Sequence, residues 1–239
     1  MFQRDDFSTR LLELGVKPGM RVLDVGCGNG EFTRLAAEVL GANGQLIGID
    51  QNSGALSQAK GVESLLPIQY LEADIAALPF DKASFDAIIG RRVLMYQKNP
   101  LEILAYLRQF LKPGGILLFQ ESDAESMRLK NEQFTQLNQA QEMVWETVAR
   151  EGGHIHIGSQ LYGMMAKLDL QVEHLISENV LQTKETGTDL GWLLDVMRGR
   201  ISQHFDMGQL DTANFQTELE TVDQAFVRDI HYGIVGRNV

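Results

Sequence analysis

The stretch Val22-Leu23-Asp24-Val25-Gly26-Cys27-Gly28-Asn29-Gly30-Glu31 decides how this chain is read. A short apolar run, Arg21 to Val25, has the character of a buried strand and leads directly into three glycines at alternate positions. An amphipathic segment, Glu31 to Leu40, starts at once, with Phe32, Leu35, Ala36 and Val39 on one helical face. Gly26, Gly28 and Gly30 let the backbone turn sharply and lie against a ligand, because a Cβ would obstruct the approach.

The same rhythm continues outward. Gln45 to Asp50 reads as a second strand, and Ser53 as the N-cap of a helix through Ala55, Leu56, Ala59 and Val62. Pro67 to Leu71, Phe85 to Gly90 and Gly115 to Gln120 supply three further strands, and Leu101 to Leu111 a helix closed by Lys112-Pro113-Gly114-Gly115. Strands this apolar, each followed by a helix, predict an α/β fold with a parallel sheet covered on both faces. After Gln120 the pattern shifts to helices. Phe134 to Val148, Leu161 to Leu168, Leu190 to Phe205 and Phe215 to Val227 have helical spacing, with strands expected at Gln171 to Ser177 and Asp229 to Val235. That makes seven strands. No repeat or linker divides the chain, so residues 1–239 are expected to be a single domain, with 121–169 and 178–228 as candidate helical caps over the site.

Composition narrows the chemistry. The 239 residues are 44% hydrophobic and carry a net charge of −11, which repels polyanions, so a nucleic-acid partner is not expected. Cys27 is the only cysteine, which rules out an internal disulfide and a multi-cysteine zinc site. The start, MFQRDDFSTR, lacks the apolar run of a signal peptide, and no stretch approaches the length of a membrane span. The expected compartment is the cytoplasm.

The glycine spacing separates two kinds of ligand. A dinucleotide site uses G-x-G-x-x-G, with a diphosphate over the helix N-terminus. Counted from Gly26, the third glycine position holds Glu31; counted from Gly28, it holds Thr33. Both frames fail. Asp24, at the strand's end, opposes a diphosphate and suits a cationic ligand head. Asp50 ends the second strand about 20 residues on, where a carboxylate commonly holds the two hydroxyls of a ribose. Asp74 follows the third strand, placed to accept an adenine amino group, with Ile75 packing on the ring. Three acids at the carboxyl ends of three successive strands mark the ligand-binding edge of an open sheet.

Val22 to Gly30 resembles the first motif of class I S-adenosylmethionine (SAM)-dependent methyltransferases. Asp50 matches that family's acidic second motif, Ala73-Asp74-Ile75 its adenine motif, Phe85 to Gly90 its fourth strand, and Leu111 to Gly115 the turn before its fifth. Together these residues resemble the ubiquinone/menaquinone-biosynthesis type of that domain, over roughly residues 15 to 120. The resemblance implies a Rossmann-like, doubly wound, mostly parallel seven-stranded sheet with SAM as cofactor and S-adenosylhomocysteine as product. It implies that Asp24, Gly26, Cys27 and Gly28 surround the methionine end and that Asp50 holds the ribose. Asp74, Ile75 and Gln51 flank the adenine. Gly90 and Arg91 line the passage to the acceptor, and Arg10 reaches the cofactor's carboxylate from an amino-terminal helix.

Methyl transfer from a sulfonium needs mainly alignment and exclusion of water, with a base where the acceptor carries a proton. The candidates for that base are His154 and His156, in Gly152-Gly153-His154-Ile155-His156-Ile157-Gly158. No metal is expected, because His-x-His has no further ligands near it in sequence. The expected partner is a small-molecule methyl acceptor. A SAM-binding subunit without catalysis is the alternative, and a nicotinamide-dependent oxidoreductase a more distant one.

Overall fold

A computed structural model describes residues 6–64 and 66–239 of the chain; the first five residues of the start read above lie outside the described residues. Helix α1 (Asp6–Gly15) precedes β1 (Arg21–Val25), α2 (Glu31–Leu40), β2 (Gln45–Asp50), α3 (Ser53–Lys60), β3 (Ile68–Glu72), β4 (Phe85–Arg91) and α4 (Pro100–Arg108). There follow β5 (Leu111–Asp123), α5 (Thr135–Arg150), α6 (Ile157–Lys167), β6 (Gln171–Gln182), α7 (Leu190–Ile201), α8 (Asn214–Thr221) and β7 (Phe226–Arg237).

The seven strands form one sheet in the order β3-β2-β1-β4-β5-β7-β6. β1 pairs parallel with β2 and β4, β2 with β3, and β4 with β5. The strand order reverses at β1, so the loops after β1 and β4 diverge there and leave a crevice at the carboxyl edge. The doubly wound, mostly parallel sheet expected from the sequence is the fold of this protein.

Two compact units separate: one holds the chain up to Glu121 with Gly158–Ile176 and Tyr232–Val239, the other Ser122–Ile157 and Ser177–His231. Of the segments 121–169 and 178–228, read as candidate caps, most residues group in the second unit, but α6 from Gly158 on groups in the first.

In the first unit, strand periodicity sends Val22, Leu46, Ala87, Ile89, Ile116 and Leu118 to one core. Phe7, Leu11 and Leu12 of α1 and Phe32, Ala36 and Leu40 of α2 fill the same core. Each large apolar side chain buried there contributes about 1.5–3 kcal/mol. Leu23, Ile47, Ile88 and Leu117, one residue out of phase, are also buried. In the second unit, α5 packs on α7 and α8, and the rings of Phe134 and Phe226 meet edge to face at 5.4 Å. The N-cap residue of α5, Phe134, offers no capping side chain. Glu218 of α8 does that work, accepting from the Gln136 and Leu137 N–H groups at 2.7 and 3.0 Å.

Several boundaries differ from the sequence reading for identifiable reasons. Asn52, not Ser53, caps α3, its Oδ1 accepting from Ala55 N at 3.1 Å. The helix expected to reach Leu111 stops at Arg108, because Leu111 already pairs with Phe85 in the sheet. The expected turn Lys112–Gly115 is a bulge within β5: Phe85 pairs with Leu111, and Ala87, two residues on, with Ile116. The last helix ends at Thr221, and Phe226 and Val227 belong to β7.

Candidate functional site

At the carboxyl end of β1 the chain enters its glycine turn with positive φ at Gly26 (66°), Gly28 (54°) and Gly30 (77°). The glycines answer to different demands. A Cβ on Gly26 would lie 2.4 Å from Val93 Cγ2, so its absence serves packing beneath the turn. A Cβ on Gly28 would meet nothing within 4 Å among the described residues, so that backbone borders open space there. The turn is fastened to the neighbouring strand. Cys27 N donates to Ile49 O at 2.9 Å, and Gly28 N donates to Asp50 Oδ2 at 2.8 Å.

Asp50 is the hub of this edge. Its Oδ1 accepts from Asn52 N at 2.8 Å, and its own carbonyl accepts from Ala73 N at 3.1 Å, which draws the segment after β3 alongside. There Asp74 closes a turn on Ala76 N at 2.8 Å and stands exposed, while Ile75 is buried. Gln51 is exposed. Asp24 is only 1% exposed, and its Oδ2 accepts from Thr33 Oγ1 at 2.6 Å, which ties the end of β1 to α2. Burial pushes the Asp24 carboxyl up to about 7, against the opposing pull of the Thr33 hydroxyl and Arg91. Burial also pushes the Cys27 thiol up, helped by the carboxylates of Asp24 and Asp50.

The turn after β4 comes next. Gly90 is buried; a Cβ there would lie 2.6 Å from Phe119 and 2.9 Å from Val93. The Arg91 guanidinium pairs with Glu31 and lies 5.4 Å from the Phe32 ring centroid, so it braces the start of α2. Arg92 adopts a left-handed conformation, φ 52°, and its N–H donates to Gln120 O at 2.8 Å. Tyr96 is exposed. Arg10 lies on an exposed part of α1, its Nε donating to Asp6 O at 3.4 Å. Neighbouring Ser8 turns inward to Gln120 Oε1 at 2.5 Å.

Glu121 belongs to none of the motifs read from the sequence. It is fully buried at the end of the first unit's part of β5, and its Oε1 accepts from Val93 N at 3.0 Å and Leu94 N at 2.8 Å. Its Oε2 has no hydrogen-bond partner among the described residues. Burial drives this carboxyl up to about 7, against the pull of the Leu94 and Val93 N–H groups. Glu121 thereby fixes Val93, the residue that fills the space left by Gly26 and Gly90. Only the acid following the apolar run in sequence pointed to it.

In the second unit, His156 Nδ1 lies 3.0 Å from Asp123 Oδ1. Glu125 joins this pair: ligand atoms of Asp123, Glu125 and His156 all lie within 4.8 Å of one another. The reason for expecting no metal, a lack of further ligands near the histidines, therefore does not hold in the folded chain.

The sheet order, the glycine turn after β1 and the acids ending β1 and β2 define the class I, SAM-dependent methyltransferase type. A family model described as a methyltransferase domain matches residues 16–187, and the chain belongs to that family. Over 104 residues it is 38% identical to a 2-phytyl-1,4-naphtoquinone methyltransferase of Synechocystis sp., covering 42% of this chain and 44% of that protein. Over 124 residues it is 31% identical to a demethylmenaquinone methyltransferase of Lactococcus lactis, covering 51% and 49%. The match thus spans about half, or less, of the length of these curated relatives. Among solved structures, a Bacillus halodurans protein described as a methyltransferase superposes with a TM-score of 0.66 at 17% identity, over 98% of this chain and 99% of that one, a likeness of fold.

Proposed function

We propose that this protein transfers a methyl group from SAM to a small-molecule acceptor. The observation that carries the reading is the pairing of Gly28 N with Asp50 Oδ2 at 2.8 Å beside open space over Gly28. A nucleoside fits such an edge. The missing Cβ leaves room for close approach, and the Asp50 oxygens keep lone pairs for a vicinal diol. Asp74 and Ile75, with Gln51 opposite, suit an adenine. Asp24, Gly26, Cys27 and Gly28 suit the methionine end. Gly90 and Arg91 border the way to the acceptor, and Arg10 is the proposed partner of the cofactor's carboxylate.

Bound SAM supplies an already activated methyl group, so this chain's own residues have positioning and dehydration as their main tasks. Glu121 and Val93 hold the floor of the glycine turn. Where the acceptor is a hydroxyl or an acidic carbon, one of His154 and His156 takes its proton. The net charge of −11 argues against a polyanionic acceptor. Among the described residues no helix is long and apolar enough to cross a membrane. The two relatives are named for quinone-type substrates, which makes a hydroxylated aromatic ring the first acceptor class to assay.

Calorimetric titration with SAM, S-adenosylhomocysteine and NAD tests the reading. Binding of the first two and not the third is expected; NAD binding without a SAM response overturns it. SAM binding with no turnover across an acceptor screen would favour the non-catalytic subunit instead.

A further inference from the structure

We propose that Asp123, Glu125 and His156 form a binding site for one divalent transition-metal cation in the second unit. Two segments 33 residues apart meet here and are fixed by the backbone. Ala124 N donates to Ile155 O at 2.8 Å, and Glu125 N donates to Asp123 Oδ1 at 2.9 Å. The ligands are therefore placed by main-chain bonds made in the folded chain itself, so a metal would find them largely preformed.

The donor set has the right chemistry. Two carboxylates and a neutral imidazole carry two negative charges, matching one divalent ion, and a mixed O,O,N set suits Mn²⁺ or Zn²⁺. With metal–donor bonds of about 2.1 Å, adjacent donors at right angles sit about 3.0 Å apart. The observed separation of His156 Nδ1 and Asp123 Oδ1 is 3.0 Å. The Asp123 carboxylate is fully buried, whereas the His156 and Glu125 side chains are 41% and 38% exposed, which leaves an entry path and room for water ligands. A metal seated there binds Nδ1 of the neutral imidazole through its lone pair, with the ring hydrogen on Nε2. Glu125 Oε1 also meets Arg128 Nη1 at 2.9 Å, but Arg128 is 75% exposed, and an exposed pair of this kind yields readily to a metal.

The site is built from residues of the second unit alone and stands whether or not the chain transfers methyl groups. With a cation seated, His156 is a ligand, and His154 is the histidine left to take the acceptor's proton.

The test uses the untagged full chain, stripped with chelator and titrated with Mn²⁺ followed by spin resonance, and with Zn²⁺ followed by calorimetry. One equivalent bound with a micromolar dissociation constant is expected. His156→Ala and Glu125→Gln should each weaken binding at least tenfold, with His204→Ala unchanged. Both ligand side chains are partly exposed, so these variants should keep their fold, checked by circular dichroism and thermal unfolding. No binding of either ion at 1 mM, or binding unaffected by His156→Ala and Glu125→Gln, overturns the proposal.

Discussion

Replacing Glu121 with alanine removes the acceptor of two buried backbone donors, Val93 N and Leu94 N, bonded at 3.0 and 2.8 Å. Each unsatisfied buried donor costs about 1–3 kcal/mol, so the pair predicts a loss of roughly 2–6 kcal/mol. Glu121→Gln keeps one acceptor oxygen and removes the charge, so it separates hydrogen bonding from ionisation. In the folded chain the carboxyl titrates at about 7 rather than its ordinary 4.5. Between those pH values the folded state holds a proton that the unfolded state has released, so stability falls as pH rises. The contribution is full below about 4.5 and lost through 7; at about 1.4 kcal/mol per unit it amounts to about 3 kcal/mol. Asp24, also raised to about 7, adds a slope of the same sign. Urea unfolding of the wild type between pH 5 and 8 should therefore show stability declining with pH. Glu121→Gln should show a shallower decline, with the part owed to Asp24 remaining. Glu121→Ala should be the least stable at every pH. An alanine variant within 0.5 kcal/mol of wild type, or a glutamine variant with an unchanged pH slope, would refute the assignment of Glu121 as the brace of this turn.

Asp50→Ala should weaken SAM binding by about 1.5–3 kcal/mol, the range for a hydrogen bond to a charged group, measured by calorimetry on a variant shown to be folded. Unchanged affinity would remove Asp50 from the site. Gly28→Ala should fold with a loss of about 1–2 kcal/mol for a Cβ at positive φ yet bind SAM at least tenfold more weakly. Gly26→Ala, which drives a Cβ to 2.4 Å from Val93, should instead lower the thermal midpoint the more of the two; the opposite ranking contradicts the division of labour between these glycines. Once an acceptor is found, substituting His154 or His156 by alanine should leave SAM affinity nearly intact. One of the two should lower turnover by about 10²–10⁴-fold, and full activity in the double variant would exclude a histidine base.

The central strands and α2 were legible because their signals are local. Val22 to Val25 is uninterrupted apolar sequence apart from Asp24, and the glycines that follow punctuate it. Asp50 and the failed dinucleotide spacing could be read for the same reason. The signals missed are those that depend on distant partners. Glu121 lies just past the strand expected to end at Gln120, and only the turn 28 residues earlier gives its carboxylate a task. Asp123 and His156 are brought together by folding across 33 residues. At Phe226 a helical spacing and a strand spacing fit the same apolar residues, and pairing in the sheet decided between them.

The enclosure of Cys27 has a practical side. The residue is 7% exposed within the glycine turn, with burial and two carboxylates holding the thiol in its protonated, unreactive form. The thiolate is the species that maleimides and iodoacetamides attack, so the native chain offers these reagents almost nothing. A cysteine introduced at an exposed position therefore takes up a fluorophore or spin label alone, with the natural residue left in place. Conjugation chemistry on this protein can start from the unaltered sequence.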